Sequence, residues 1–178
     1  MSNISEEEKI KLKNEFLSNK TISHMLLKHI YGFKYVLQKS NKYSKRTEHI
    51  LINNIELFGK YLYLYHPTLM LKDINEEVIK KYRNFCKDIL GNSPKTVNKK
   101  LSSLSTFWDY LVNDDYDKQY FKYNIIKNVP FLALDKEKFP TIIKTSELLR
   151  LFDSMRTSLY GCRDICICKI ILETGLPL

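Results

Sequence analysis

Turn-forming residues are scarce in this chain: 178 residues hold 5 Gly and 5 Pro. So few breakers exclude a many-stranded sheet with closely spaced turns and favour long helices. No apolar run reaches about 18 residues, so no membrane span is expected. The opening residues, Met1-Ser2-Asn3-Ile4-Ser5-Glu6-Glu7-Glu8, are polar and acidic, the opposite of a secretory signal, which points to the cytoplasm. Cysteine is sparse as well: Cys86, Cys162, Cys166 and Cys168. The last three crowd into one apolar stretch without the second ligand cluster that a zinc site needs. His24, His29, His49 and His66 all lie far upstream of them. The cysteines are read as core thiols, the histidines receive no site role, and no metal or other cofactor is expected.

What the chain does have is positive charge in one block. Its 29 Lys+Arg and 20 Asp+Glu leave a net +9. Residues 21–113 carry 15 Lys+Arg against 7 Asp+Glu, whereas residues 1–20 and 145–178 each balance at 4 against 4. A basic block between neutral segments suits a polyanion, because each neutralised phosphate releases condensed counterions. The alternative is a set of lysine-rich helices that merely solvate themselves, which would fit a helical protein-interaction module. An apolar fraction of 44 % supports a packed core, and the length fits one domain or a small domain plus further pieces.

The hydrophobic spacing is helical throughout. Ser5–Ser18 reads as a charged helix with Ile10, Leu12, Phe16 and Leu17. A second follows, capped by Thr21 or Ser23, with Met25, Leu26, Ile30, Phe33, Tyr35 and Leu37, and Gly32 inside it. Gln38–Tyr43 reads as a loop. Ser44 then caps a long helix whose Leu51, Ile55, Phe58, Leu62 and Tyr65 share one face. Asn75 caps the next, with Glu76 and Glu77 at its positive end and Val78, Tyr82, Phe85 and Ile89 inward; Gly91 stops it. Lys80, Lys81, Arg83 and Lys87 fall on its outer face. Ser93-Pro94 opens the clearest helix, with Val97, Leu101, Leu104, Trp108 and Leu111 inward. Its opposite side carries Lys95, Asn98, Lys99, Ser102 and Ser105, with Thr96 and Lys100 at the edges. These are basic and small polar side chains that let a helix approach phosphates and base edges. A shorter helix is expected over Tyr116–Ile126 and an extended linker over Lys127–Lys144. Thr145 is expected to cap a helix containing Leu148, Leu149, Phe152 and Met155, and a last helix over Cys162–Thr174 is apolar nearly all round. Such a helix must be enclosed on every side, so the chain is expected to end inside a second domain.

The order of these motifs resembles the tyrosine recombinase, or phage integrase, family. Ser93-Pro94-Lys95-Thr96-Val97-Asn98-Lys99-Lys100-Leu101 and the Phe107-Trp108-Asp109-Tyr110-Leu111 that follows look like the last long helix of that family's core-binding domain. Tyr43-Ser44-Lys45-Arg46-Thr47 and Phe58-Gly59-Lys60-Tyr61-Leu62 are similar to its first helix, and Leu71-Lys72-Asp73-Ile74-Asn75 to the lead into its second. Asn128-Val129-Pro130 is similar to the exit from that domain. Phe139-Pro140 through Glu147-Leu148 resembles the entry to the catalytic domain, and Gly161-Cys162-Arg163-Asp164 with Ile170 through Leu176 resembles its early helices. The resemblance spans about Tyr43 to Leu176. It implies an all-α, SAM-like helical bundle over residues 43–127, preceded by a helical extension (1–42) and followed by a linker (128–144). Residues 145–178 would be a two-helix stub of the catalytic domain.

It further implies a double-stranded DNA partner, a recombination site, and self-association on DNA. The implied DNA contacts are Lys45 and Arg46 to phosphates and Lys95, Thr96, Asn98, Lys99, Lys100, Ser102 and Ser105 on the closest helix, with Asn98 and Lys99 reading bases. The chain departs from the family where its first catalytic arginine would stand, because Pro177 occupies that place. The family's catalytic Lys, its H-x-x-R motif and its tyrosine nucleophile would lie further on. The 12 tyrosines here all precede that point and are read as core-edge aromatics. The expectation is therefore the DNA-binding part of a site-specific recombinase, not itself an enzyme. The alternatives are a stand-alone DNA-binding regulator that competes with a full-length recombinase, and the protein-interaction module.

Overall fold

In the computed structural model the described residues are 5–114, 118–134 and 143–174. They form seven α-helices: α1 (Glu6–Ser18), α2 (His24–Ser40), α3 (Lys45–Tyr65), α4 (Glu76–Asp88), α5 (Pro94–Asn113), α6 (Thr145–Arg156) and α7 (Gly161–Thr174). Two 3₁₀ turns, Leu71–Asp73 and Ile125–Asn128, join them, and no strand occurs among the described residues. The fold class is all-α, as the scarcity of Gly and Pro predicts. The chain divides into two units, Met1–Asp135 and Lys136–Leu178.

Local chemistry starts α1, α3, α4 and α5 where the sequence places a cap, whereas Ser23 ahead of α2 makes no side-chain cap bond. The Ser5 hydroxyl accepts from the Glu8 N–H at 3.2 Å, and Glu6, Glu7 and Glu8 sit at the positive end of α1. Ser44 accepts from Thr47 N–H at 3.3 Å, Asn75 from Val78 N–H at 3.1 Å, and Ser93 from Thr96 N–H at 3.3 Å. Pro94 occupies the first turn of α5, where its missing N–H leaves no bond unmade. Beyond α4 the chain turns through Gly91 at φ +68°, a left-handed conformation that a Cβ would strain.

The core is aromatic at its centre. Phe58 of α3 meets Tyr82 of α4 at 4.9 Å and Trp108 of α5 at 6.3 Å, in edge-on geometry. All five stripe residues expected on α5 are buried, as are Val78, Tyr82, Phe85 and Ile89. The first two helices belong to this same core. Phe16 of α1 packs edge-on against Phe85 at 5.1 Å, and Phe33 of α2 against Phe107 at 5.4 Å. Leu26, Ile30 and Leu37 are buried with them. α2 enters against α3 at Gly59, whose carbonyl accepts the Ser23 N–H at 3.1 Å. A Cβ on Gly59 would overlap the Ile22 Cγ2 methyl, so the close approach requires glycine there.

Several expectations are corrected. α2 runs unbroken through Gly32 and on through Gln38, Lys39 and Ser40, residues expected in a loop, and ends at Asn41 with φ 49°. Met25 and Tyr35, named among the apolar residues of α2, are exposed, as are Ile10 and Leu17 of α1. The helix expected over Tyr116–Ile126 does not form in the described part of that stretch; residues 118–120 turn and Ile125–Asn128 is 3₁₀. The Asn124 side chain explains the change, because its Oδ1 accepts the Ile126 N–H at 3.0 Å and its amide is drawn to α5. Tyr116 lies outside the described residues. Lys144, not Thr145, is the cap position of α6, with its N–H donated to Glu147 Oε2 at 3.0 Å.

In the second unit α6 and α7 pack on each other, and Gly161 is the one buried residue among those described. Cys162 and Cys166 are exposed and Cys168 is half-buried, so only Cys86 is a core thiol. The apolar girdle of α7 is correspondingly open, with Ile170 at 55 % exposure. One helical neighbour covers only one side of such a cylinder.

Removing a ring that joins α2 to α5 tests whether the first helices are integral. Phe33→Ala is expected to lower stability by about 3–5 kcal/mol, read from urea or thermal unfolding of the whole chain. A loss under about 1 kcal/mol would mean that α2 only leans on the bundle.

Candidate nucleic-acid interface

The exposed face of α5 is defined by what holds its other sides. Inward, Val97, Leu101, Leu104, Phe107, Trp108 and Leu111 are buried. On one flank the Asn54 amide of α3 donates to Ser103 Oγ at 2.9 Å in the core, and Ser103 Oγ donates back to the Lys99 carbonyl at 3.0 Å. On the other flank the segment 124–132 is tied down by side chains. Asn98 Nδ2 donates to the Leu132 carbonyl at 2.9 Å and Asn98 Oδ1 accepts the Leu132 N–H at 2.9 Å. Asn124 Nδ2 donates to the Ser105 carbonyl at 2.8 Å and to Asp109 Oδ1 at 2.9 Å, and Lys127 Nζ donates to the same Asp109 oxygen at 2.9 Å. Arg83 of α4 donates to the Pro130 carbonyl at 2.8 Å. Lys95, Lys99 and Ser102 are left exposed between the two flanks. One turn separates the lysines, so both ammonium groups rise from one side of a fixed cylinder.

These placements sort the expected contact residues. Lys95, Lys99, Ser102 and Thr96 are open to solvent, although the Thr96 hydroxyl lies 3.0 Å from the Ser93 hydroxyl within the cap. Asn98, expected to read bases, has its amide engaged by the backbone of Leu132. Ser105 is half-buried and accepts from Asn124 through both its carbonyl and its hydroxyl. Lys100, expected at the edge of the open face, is only 8 % exposed and turned toward α4. Burial pushes the Cys86 thiol there up, and the Lys100 charge pulls it partly back.

Lys45 and Arg46 are exposed in the first turn of α3. Cations at that end oppose the helix dipole, so they do not serve the helix; an anion placed there would be attracted by both. Lys45 lines a groove of about 570 Å³ with Lys34, Gln38, Asn41, Tyr43, His49 and the acidic Glu48. Lys34 and His49 were not expected at a site. Their juxtaposition depends on α2 folding back onto α3, which no local spacing announces.

The first unit is thus a small all-helical bundle, with one helix held on three sides and a basic stripe open on the fourth. The phage integrase SAM-like domain family matches residues 30–127, from within α2 to the second 3₁₀ turn, and the chain belongs to that family. Neither the curated proteins nor the solved structures contain a match to it. No described helix is long and apolar enough to cross a membrane. No group of three or more metal-ligating side chains occurs among the described residues.

Two outcomes follow from the strap over α5. Asn98→Ala removes two bonds to backbone and is expected to cost about 1–2 kcal/mol on chemical unfolding. Duplex affinity measured under folded conditions is expected to stay unchanged, which base reading by Asn98 would contradict. Burial raises the Asp109 carboxyl, but the Asn124 amide and the Lys127 ammonium outweigh it and hold the group below its ordinary 3.8. Such a carboxylate stabilises the fold above its unfolded value and loses that contribution as pH falls through its folded value. Melting temperature is therefore expected to drop below about pH 4 in the native chain, with a smaller acid-dependent part in Asp109→Asn.

Proposed function

We propose that this chain is the DNA-binding portion of a site-specific tyrosine recombinase, with strand-cutting chemistry outside residues 1–178. Membership of the integrase SAM-like family supports a DNA partner. The observation that carries the reading is the pair of exposed lysines on α5, fixed by Asn54–Ser103 on one flank and Asn98–Leu132 on the other. A helix backbone already fixed in place loses little freedom on contacting phosphates, and Ser102 stands one turn beyond Lys99 on the same face. Lys45 and Arg46 form a second phosphate contact at the start of α3. In this reading α6 and α7 are the opening helices of a catalytic domain, which the uncovered apolar girdle of α7 supports. A cytoplasmic location goes with this reading.

A stand-alone DNA-binding regulator is the second reading, favoured by Pro177 where the family places its first catalytic arginine. Both readings require duplex binding, and they part on whether the strand is cut by a longer form.

Fluorescence anisotropy with a labelled duplex across a salt series tests the proposal. Log affinity is expected to fall linearly with log salt, and Lys95→Ala with Lys99→Ala to lower the slope by about 2 and weaken binding at every sequence. An unchanged slope would remove α5 from the interface. No duplex binding at low salt would favour the protein-interaction module, and cleavage of the duplex by the chain would overturn the assignment of chemistry elsewhere.

A further inference from the structure

A second surface of the first unit has different chemistry from the lysine stripe. Phe121 packs at 90° to Trp108, with ring centroids 6.5 Å apart, and is buried. That anchor turns its neighbours outward, leaving Tyr120 at 56 % and Tyr123 at 57 % exposure. Both rings line a groove of about 530 Å³ with Lys72, Lys80 and Lys122. A smaller groove of about 270 Å³ shares Lys72, Tyr120 and Phe121 with it and is also lined by Met25, His29 and Met70. The same concavity also contains Glu76 and Glu77. Glu76 accepts from the Asn128 amide at 2.7 Å and lies 3.9 Å from Lys80, and Glu77 lies 3.9 Å from Lys81. These carboxylates have local partners. Lys72 and Lys122 make no ion pair among the described residues.

We propose that this groove binds an unpaired nucleic-acid strand, with bases stacked on Tyr120 and Tyr123 and phosphates met by Lys72 and Lys122. Two exposed aromatic rings beside uncompensated ammonium groups match what a single strand offers, a π-face and a phosphate at every nucleotide. A duplex offers only the phosphates, because its base faces are already stacked. The segment that carries the rings is anchored by Phe121 on Trp108, so stacking on them orders little backbone. This surface is separate from the Lys95–Lys99 ridge, and it gives the molecule one site for paired DNA and another for strands opened beside it.

The test uses the full 178-residue chain and a labelled oligothymidylate of about 12 nucleotides, with a duplex as the second probe. Tyr120→Ala and Tyr123→Ala are each expected to weaken oligothymidylate binding about tenfold, whereas Tyr120→Phe and Tyr123→Phe keep it, because the ring and not the hydroxyl does the stacking. Lys99→Ala is expected to leave oligothymidylate affinity unchanged, and the tyrosine variants to leave duplex affinity unchanged. Ultraviolet crosslinking of the unaltered chain to a bromodeoxyuridine oligomer is expected to map to Tyr120 or Tyr123, a readout independent of how the variants fold. No oligothymidylate binding at low salt, equal binding after both alanine changes, or crosslinks confined to α5 would overturn the proposal. Oligothymidylate binding without duplex binding would uphold it while sinking the duplex reading, so the two fail separately.

Discussion

Burial of α5 on three sides is the constraint on which the rest of the bundle depends. α2, α3 and α4 all pack on this helix, and Trp108, Phe107, Leu101, Leu104 and Leu111 are sealed among them. Close-packed aromatic and branched side chains cannot slide by a fraction of a turn without opening voids. The two amide bridges at its flanks then fix its rotation about its own axis. Asn54 meets Ser103 inside the core, and Asn98 grips the backbone of Leu132 outside it. A buried hydrogen bond adds little net stability but penalises every register that breaks it. The rigid presentation of Lys95 and Lys99 is thus a result of packing and of side chains that touch no ligand.

Much of the fold was legible because its signals are local. Ser5, Ser44, Asn75 and Ser93 each place an oxygen three residues before an unpaired N–H, and each starts a helix in the structure. The inward stripes of α3, α4 and α5 follow from a period of 3.6 residues, and nearly all of the residues so chosen are buried. What was not legible depends on distant partners. Tyr120, Phe121, Tyr123 and Ile126 have a helical period, yet Asn124 bonds to Ser105 and Asp109 and turns the chain out of helix. The exposure of Met25 and Tyr35, by contrast, is local: both stand off the face that Leu26, Ile30, Phe33 and Leu37 share.

The candidate site was legible only at its centre. A helical wheel separates opposite faces well and neighbouring positions poorly, because adjacent residues differ by about 100°. Lys95, Lys99 and Ser102 lie at the middle of the outer arc and are open, whereas Asn98 and Ser105 lie at its margins, and Lys100 falls on the buried side, one turn from Val97 and Leu104. At a margin the nearest foreign segment decides whether a polar side chain faces water or another backbone. For Asn98 that segment is 34 residues away in sequence. The basic groove beside Lys45 was hidden for the same reason, since Lys34 reaches it only after α2 and α3 have met.

The meeting of Ile22 and Gly59 has a consequence for how this sequence can drift. The missing side chain at position 59 and the methyl at position 22 fill one space between them. A larger residue at either position demands a smaller one at the other, or the two helices must part and release the Ser23–Gly59 hydrogen bond. Descendants that keep this crossing therefore inherit the two positions as a pair, and a lone enlargement at either is the kind that selection removes.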